Sequence, residues 1–197
     1  MFLKRTLDLI VSSMALILLS PLYLLIAITI RLTSGAPVLF RQPRLGKGGV
    51  PFDIYKFRTM QVDAPDIRNP DGSAFTTSDD PRVIGVGRFL RKTSLDELPQ
   101  LFNVFKGDMS LVGPRPDQVD QLVYYTGEEK QKLKVKPGIT GLAQINGRND
   151  ISWEQRKQFD LQYVQDQSLQ LDMLILLKTI PYVLSGRGVD PDGQQIV

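Results

Sequence analysis

One stretch limits this chain more than any other. From Leu9 to Ile30 the sequence runs for 22 residues without a charge, built mostly of Leu, Ile, Val, Ala and Met. As an α-helix it would be roughly 33 Å long, about the hydrocarbon thickness of a bilayer. It is too long for the apolar part of a signal peptide, and no small-residue cleavage site follows it. Both flanks are basic: residues 1–8 carry a net charge of +1 and residues 31–60 a net of +5. Lys and Arg favour the cytoplasmic side, so both ends are drawn to the same face. Ser20-Pro21 sits mid-run, where Pro21 removes a backbone hydrogen bond and kinks the helix. A carbonyl freed in lipid needs another donor, and the neighbouring Ser20 hydroxyl can supply one. Two forms stay open: a spanning helix with a tolerated proline, or a re-entrant helix that breaks at Ser20-Pro21 and returns to the face it entered.

Composition narrows the chemistry of the rest. The 197 residues include no Cys and no His, which excludes disulfides, thiolate nucleophiles, the usual zinc ligands and the usual general base. Catalysis would have to run on carboxylates, Lys, Arg, Tyr or hydroxyls, and a metal would be a hard ion held by oxygen. The overall charge is +3, leaving −3 for residues 61–197. The positive charge is a membrane-facing collar beside the apolar run, and no basic face for nucleic acid remains outside it.

No internal repeat or low-complexity tract follows. Val38–Phe40 and Phe52–Phe57 read as short strands around the turn Gly46-Lys47-Gly48-Gly49, which lacks the spacing of a phosphate-binding P-loop. Residues 61–82 read as a polar surface loop. Arg82–Lys92 and Leu95–Phe105 read as helices, the second with Leu98, Leu101, Phe102 and Phe105 on one apolar face. Pro137-Gly138 and Gly141 mark a loop through Asn149. Ser152–Gln167 is a polar amphipathic helix. Leu169–Leu184 is apolar enough to be buried or to lie on a membrane, but Asp172 and Lys178 make it too short to span.

Three motifs carry chemistry. Asp96-Glu97 is an adjacent carboxylate pair just after Arg88, Arg91 and Lys92; one acid can act as nucleophile and the other as ligand for a divalent cation. The same residues also read as a capping box from Ser94 to Glu97, although Pro99 falls where its missing N–H begins to matter. Gly113-Pro114-Arg115-Pro116 holds Arg115 on a stiff backbone suited to bidentate phosphate binding, or is a surface proline turn. Asn146-Gly147-Arg148-Asn149 is a Gly-centred turn or a donor-rich nucleotide contact. Asp160 shares a helix face with Trp153, Arg156 and Tyr163, with a surface Arg156–Asp160 pair as the default reading.

Many short motifs in order carry a resemblance to a known family: Lys4-Arg5-Thr6-Leu7-Asp8, Ser20-Pro21, Tyr55-Lys56-Phe57-Arg58-Thr59-Met60, Thr93 through Asn103, and Lys106-Gly107-Asp108-Met109-Ser110. The series continues with Gly113-Pro114-Arg115-Pro116, Lys136 through Gly141 and Asn146-Gly147-Arg148-Asn149. Over nearly its full length the chain resembles the small monotopic phosphoglycosyl transferases, the bacterial sugar transferases. The resemblance implies transfer of a sugar 1-phosphate from a UDP-sugar to undecaprenyl phosphate, with release of UMP, at the cytoplasmic face of the bacterial inner membrane. It implies Asp96 as nucleophile, Glu97 with Asp96 as ligands of Mg2+, and Ser20-Pro21 as the break of a re-entrant helix. Lys56, Arg58, Arg91, Arg115, Arg148 and Asp160 are then expected around the nucleotide and its phosphates. Membrane lipids, and downstream glycosyltransferases that extend the product, are the expected partners. Larger family members add transmembrane helices before this core, so the chain is expected to be the minimal form. The expected fold is α+β and mainly helical: a re-entrant membrane helix over residues 1–34, then a compact cytoplasmic catalytic domain over 35–197 with short strands and interfacial amphipathic helices. The competing reading is a membrane-tethered scaffold without catalysis.

Overall fold

The uncharged run is helical on both sides of a break. In the computed structural model, which describes residues 2–68, 75, 80–148 and 150–185, α1 (Phe2–Leu18) and α2 (Ser20–Ser34) meet at a bend of 59°. Pro21 lies in the first turn of α2 and cannot donate to the Ile17 carbonyl; the Ser20 hydroxyl donates to it instead, at 2.8 Å. Among the described residues no single helix is long and apolar enough to cross a membrane, but the bent pair meets that test together. Leu7, Ala15 and Leu16 of α1 pack on the core, while Ile10, Met14, Ile17 and Leu18 remain exposed on its other side.

The first charges of the chain turn inward. Lys4 pairs with the buried Asp172 at 2.6 Å and also donates to the Val112 carbonyl. Arg5 donates to the Val104 and Phe105 carbonyls at 2.6 and 2.9 Å. Asp8, buried, accepts from the Leu111 amide at 2.9 Å and the Ser110 hydroxyl at 3.1 Å. The collar is therefore thinner than its charge count suggests. Arg31, Arg41 and Lys47 are exposed, but Lys4, Arg5, Lys56 and Arg58 are committed to the protein.

Among the described residues, four strands form two small sheets. β1 (Leu39–Leu45) and β2 (Pro51–Phe57) make an antiparallel hairpin, with Leu39 opposite Phe57 and Leu45 opposite Pro51. β1 runs five residues past the expected end at Phe40; Arg41, Pro43 and Arg44 gave no apolar alternation because this ribbon is largely exposed. β3 (Ser110–Val112) and β4 (Gly138–Thr140) pair in parallel. β4 and the short α5 (Leu142–Ile145) occupy the segment expected to be a loop, whose last residue, Asn149, lies outside the described residues.

α3 (Gly85–Lys92) starts three residues later than expected. Arg82 instead pairs with the fully buried Asp80 at 2.6 Å, so the end of the 61–82 segment belongs to the interior. The expected helix Leu95–Phe105 is split into a 3-10 turn at Leu95–Glu97 and α4 (Gln100–Lys106), with Pro99 between them. Leu101 is buried, while Phe102 and Phe105 stay about half exposed, at 45% and 48%. The buried Asn103 ties α4 to β2: it donates to the Asp53 carbonyl and accepts from the Tyr55 amide. α6 (Trp153–Gln165) and α7 (Leu169–Leu184) are capped by Ser152 and Ser168. Ile175 of α7 reaches the core among Val104, Met109, Val112 and Tyr163, whereas Met173, Leu174, Leu177 and Ile180 are exposed.

Candidate active site

The carboxylate pair sits in the 3-10 turn between α3 and α4, and both side chains are buried. The capping box does not form. Ser94 is left-handed, at φ 57°, and Glu97 turns away from it. A non-glycine residue there is strained, and its hydroxyl is held by Arg148, whose guanidinium donates to Ser94 Oγ at 3.1 Å.

Two cations share one oxygen of Glu97. Lys56 Nζ, from β2, lies 2.8 Å from Oε1 and Arg115 Nη2 lies 3.1 Å from the same atom. Arg115 is presented by the β3–β4 sheet: Gly113 N bonds Thr140 O, and Gly138 N bonds Pro114 O, both at 2.9 Å. The strands approach so closely that a Cβ on Gly138 would sit 2.1 Å from Gly113 N. Arg91 reaches the pair from α3, its Nε donating to Thr59 Oγ1 at 3.1 Å, and both Arg91 and Arg148 favour an ionised Asp96.

The two acids are driven apart. Burial is the largest influence on Asp96 and pushes its carboxyl above the usual range, against Lys56, Arg148 and Arg91. Burial pushes Glu97 up as well, but Lys56, Arg115 and Arg148 together outweigh it and hold Glu97 well below the usual range. Glu97 is thus locked as an anion, and Asp96 is the more basic of the two. A buried, more basic carboxylate among four cations is suited to attack an anionic electrophile.

Arg58, expected at the phosphates, is turned to the backbone, and Asp160, expected around the nucleotide, stands in a recess with Arg115 and Arg148. The Arg58 guanidinium is buried and spends its donors on the backbone: Nε on Pro37 O at 2.5 Å, Nη2 on Ser34 O and Gly35 O at 2.7 and 2.8 Å. Asp160 is buried and pairs with Lys132 Nζ at 2.8 Å instead of forming a surface pair with Arg156. Lys132 also holds Asp117 at 2.7 Å, and Tyr125 donates to Asp117. Asp160 lines a small recess together with Arg115, Arg148, Lys132 and Arg156.

A family model described as bacterial sugar transferase matches residues 1–186. The chain belongs to that family. Among family relatives, the uncharacterized sugar transferase EpsL of Bacillus subtilis is 47% identical, over 96% of this chain and 91% of its own. The undecaprenyl-phosphate galactose phosphotransferase of Salmonella typhimurium is 46% identical, over 95% of this chain but only 41% of its own. A UDP-glucose:undecaprenyl-phosphate glucose-1-phosphate transferase of Klebsiella pneumoniae is 47% identical, over 91% of this chain and 40% of its own. The chain spans about two fifths of the last two relatives' length.

Sequence reasoning about this family member missed Lys132 and Asp117, which brace the wall behind Arg115. Lys132 lies in the run Glu128-Glu129-Lys130-Gln131-Lys132-Leu133-Lys134, where nothing separates this buried lysine from the exposed Lys130 and Lys134. Tyr23 was missed as well. Its hydroxyl donates to the Leu98 carbonyl at 2.5 Å, one residue beyond the pair.

Proposed function

We propose that the chain transfers a sugar 1-phosphate from a UDP-sugar to undecaprenyl phosphate by way of Asp96. The observation that carries this reading is the split pair: Asp96 buried and more basic, Glu97 anchored by Lys56 and Arg115, with Arg91 and Arg148 adjacent. The named activities of the Salmonella and Klebsiella relatives support it.

In the first step an Asp96 oxygen attacks the sugar-bearing phosphorus. The bond from that phosphorus to the oxygen bridging the two phosphates breaks, UMP leaves, and an aspartyl phosphosugar remains. In the second step a phosphate oxygen of undecaprenyl phosphate attacks the same phosphorus. The Asp96 carboxylate departs and the lipid carries the diphosphate sugar. Each step brings anions together, so the demand is for fixed positive charge and positioning. Lys56 and Arg115 are placed to meet the diphosphate while Glu97 holds them, and Arg148 and Arg91 face Asp96.

Among the described residues no group of three acids or histidines stands together. Two adjacent carboxylates suit the way Mg2+ binds when substrate phosphates complete its oxygen shell. Asp96 and Glu97 would hold it, and when bound it would neutralise the diphosphate. The bent α1–α2 pair, with basic residues on both sides, supports a re-entrant segment at the cytoplasmic face of the inner membrane.

The test is a panel of UDP-sugars with Mg2+ and undecaprenyl phosphate, read as UMP. Incubation with UDP-sugar and Mg2+ alone should add the mass of one phosphosugar on Asp96, and chelation should prevent it. Intersecting double-reciprocal lines without an adduct would replace the covalent route by direct transfer. No UMP from any UDP-sugar would leave the scaffold reading.

A further inference from the structure

The break at Ser20-Pro21 delivers one polar side chain to the catalytic turn. Tyr23 stands in the first turn of α2, its amide bonded to Leu19 O across the break at 2.9 Å. Its hydroxyl donates to Leu98 O, two residues after Asp96. That carbonyl already accepts from the Leu101 amide at 3.0 Å, within the run of tight turns that carries the pair into α4. The Tyr23 ring lies between Phe57, at 5.5 Å, and Phe102, edge-on at 6.0 Å. Phe57 follows Lys56 on β2, and Phe102 is on α4. One side chain therefore touches the strand that supplies Lys56, the helix after the pair and the turn between them.

This turn needs an outside support. It begins at Ser94, in a strained left-handed conformation, and Pro99 prevents it from joining α4 as a continuous helix. Arg148 holds its start through the Ser94 hydroxyl, and Tyr23 holds its end through Leu98. A straight segment would carry residue 23 along the line of α1, away from Leu98. The hydroxyl arrives only because the segment bends.

We propose that Tyr23 is a positioning residue through which the bent membrane segment sets the Asp96-Glu97 turn. The inference concerns the site of the transfer reaction proposed above and rests on that reading for its kinetic part. Tyr23→Phe keeps the ring and removes only the hydroxyl. It should lower kcat for UMP release about tenfold, leave the KM for UDP-sugar within about twofold, and fractionate with membranes like the parent. Amide exchange across residues 95–102, followed by mass spectrometry in the same membrane preparation, should be faster in Tyr23→Phe, with residues 153–165 unchanged. Tyr23→Leu, which also removes the ring, should exceed it in both readouts. An unchanged kcat in Tyr23→Phe, or equal exchange in the two proteins, would overturn the proposal. If the parent itself released no UMP, the proposed reaction would fall, while the exchange contrast would still decide the link.

Discussion

Among the described residues, two lysines each stand beside a pair of largely buried carboxylates, and the two groups are built oppositely. In one, Lys132 lies between Asp117 and Asp160, at 2.7 and 2.8 Å, and its ammonium is held well above the usual range. Burial alone would lower Lys132; the two acids outweigh it. In the other, the carboxylates are sequence neighbours, and Lys56 with Arg115 crowds onto one oxygen of Glu97, leaving Asp96 raised. The first group closes on itself and braces the Arg115 wall. The second holds more cations than anions, an imbalance that an incoming diphosphate would correct.

The comparison breaks most sharply at Asp96. Asp96→Asn should reduce UMP release by about a thousandfold or more, because an amide cannot attack phosphorus. Stability should hold or rise, since a carboxylate raised by burial opposes folding whenever it is ionised. A clear drop in melting temperature would place Asp96 among the structural groups instead. Lys132→Met should do the reverse. It strands Asp117 and Asp160 in the interior, a loss of about 3–5 kcal/mol on denaturant unfolding, while each molecule that remains folded loses far less activity than Asp96→Asn does.

The pH dependences should separate as well. Glu97 and Asp117 are depressed, so their stabilisation is complete above their ordinary values of 4.5 and 3.8 and is lost as pH falls through the lower folded values. Asp96 is raised above 3.8, so turnover should fail on acidification before the fold does. Superimposed activity and unfolding curves would contradict the split. The smallest effect belongs to a third group, at the surface. Arg68 pairs with Asp66 and Asp120, both largely exposed, and Arg68→Ala should shift stability by less than about 1 kcal/mol.

Local chemistry was legible and distant pairing was not. The break at Ser20-Pro21, the hairpin around Gly46–Gly49 and the start of α6 each follow from residues adjacent in sequence: a missing donor, a glycine turn, a serine cap. Asp96-Glu97 stood out because two acids follow three bases. The left-handed Ser94 gave no such sign, since its hydroxyl is fixed by Arg148, 54 residues away. Arg58 looked like a phosphate ligand because its real partners are carbonyls, which every residue has. Asp160 looked like half of an i,i+4 pair because Lys132, on another segment, leaves no periodic trace.

Arg58 also has a consequence for anyone who would cut this molecule into parts. Its guanidinium reads main chain alone, the Ser34, Gly35 and Pro37 carbonyls of that corner and the Met60 carbonyl beyond it, so what it recognises is the corner's shape rather than its side chains. The border near Gly35 is therefore no modular seam. A transplanted α1–α2 pair would have to bring a corner of the same curvature to meet Arg58, and a partner for Leu98 besides. A chimera joined at that border by a flexible linker would keep every residue after it and lose their registration with the α1–α2 pair.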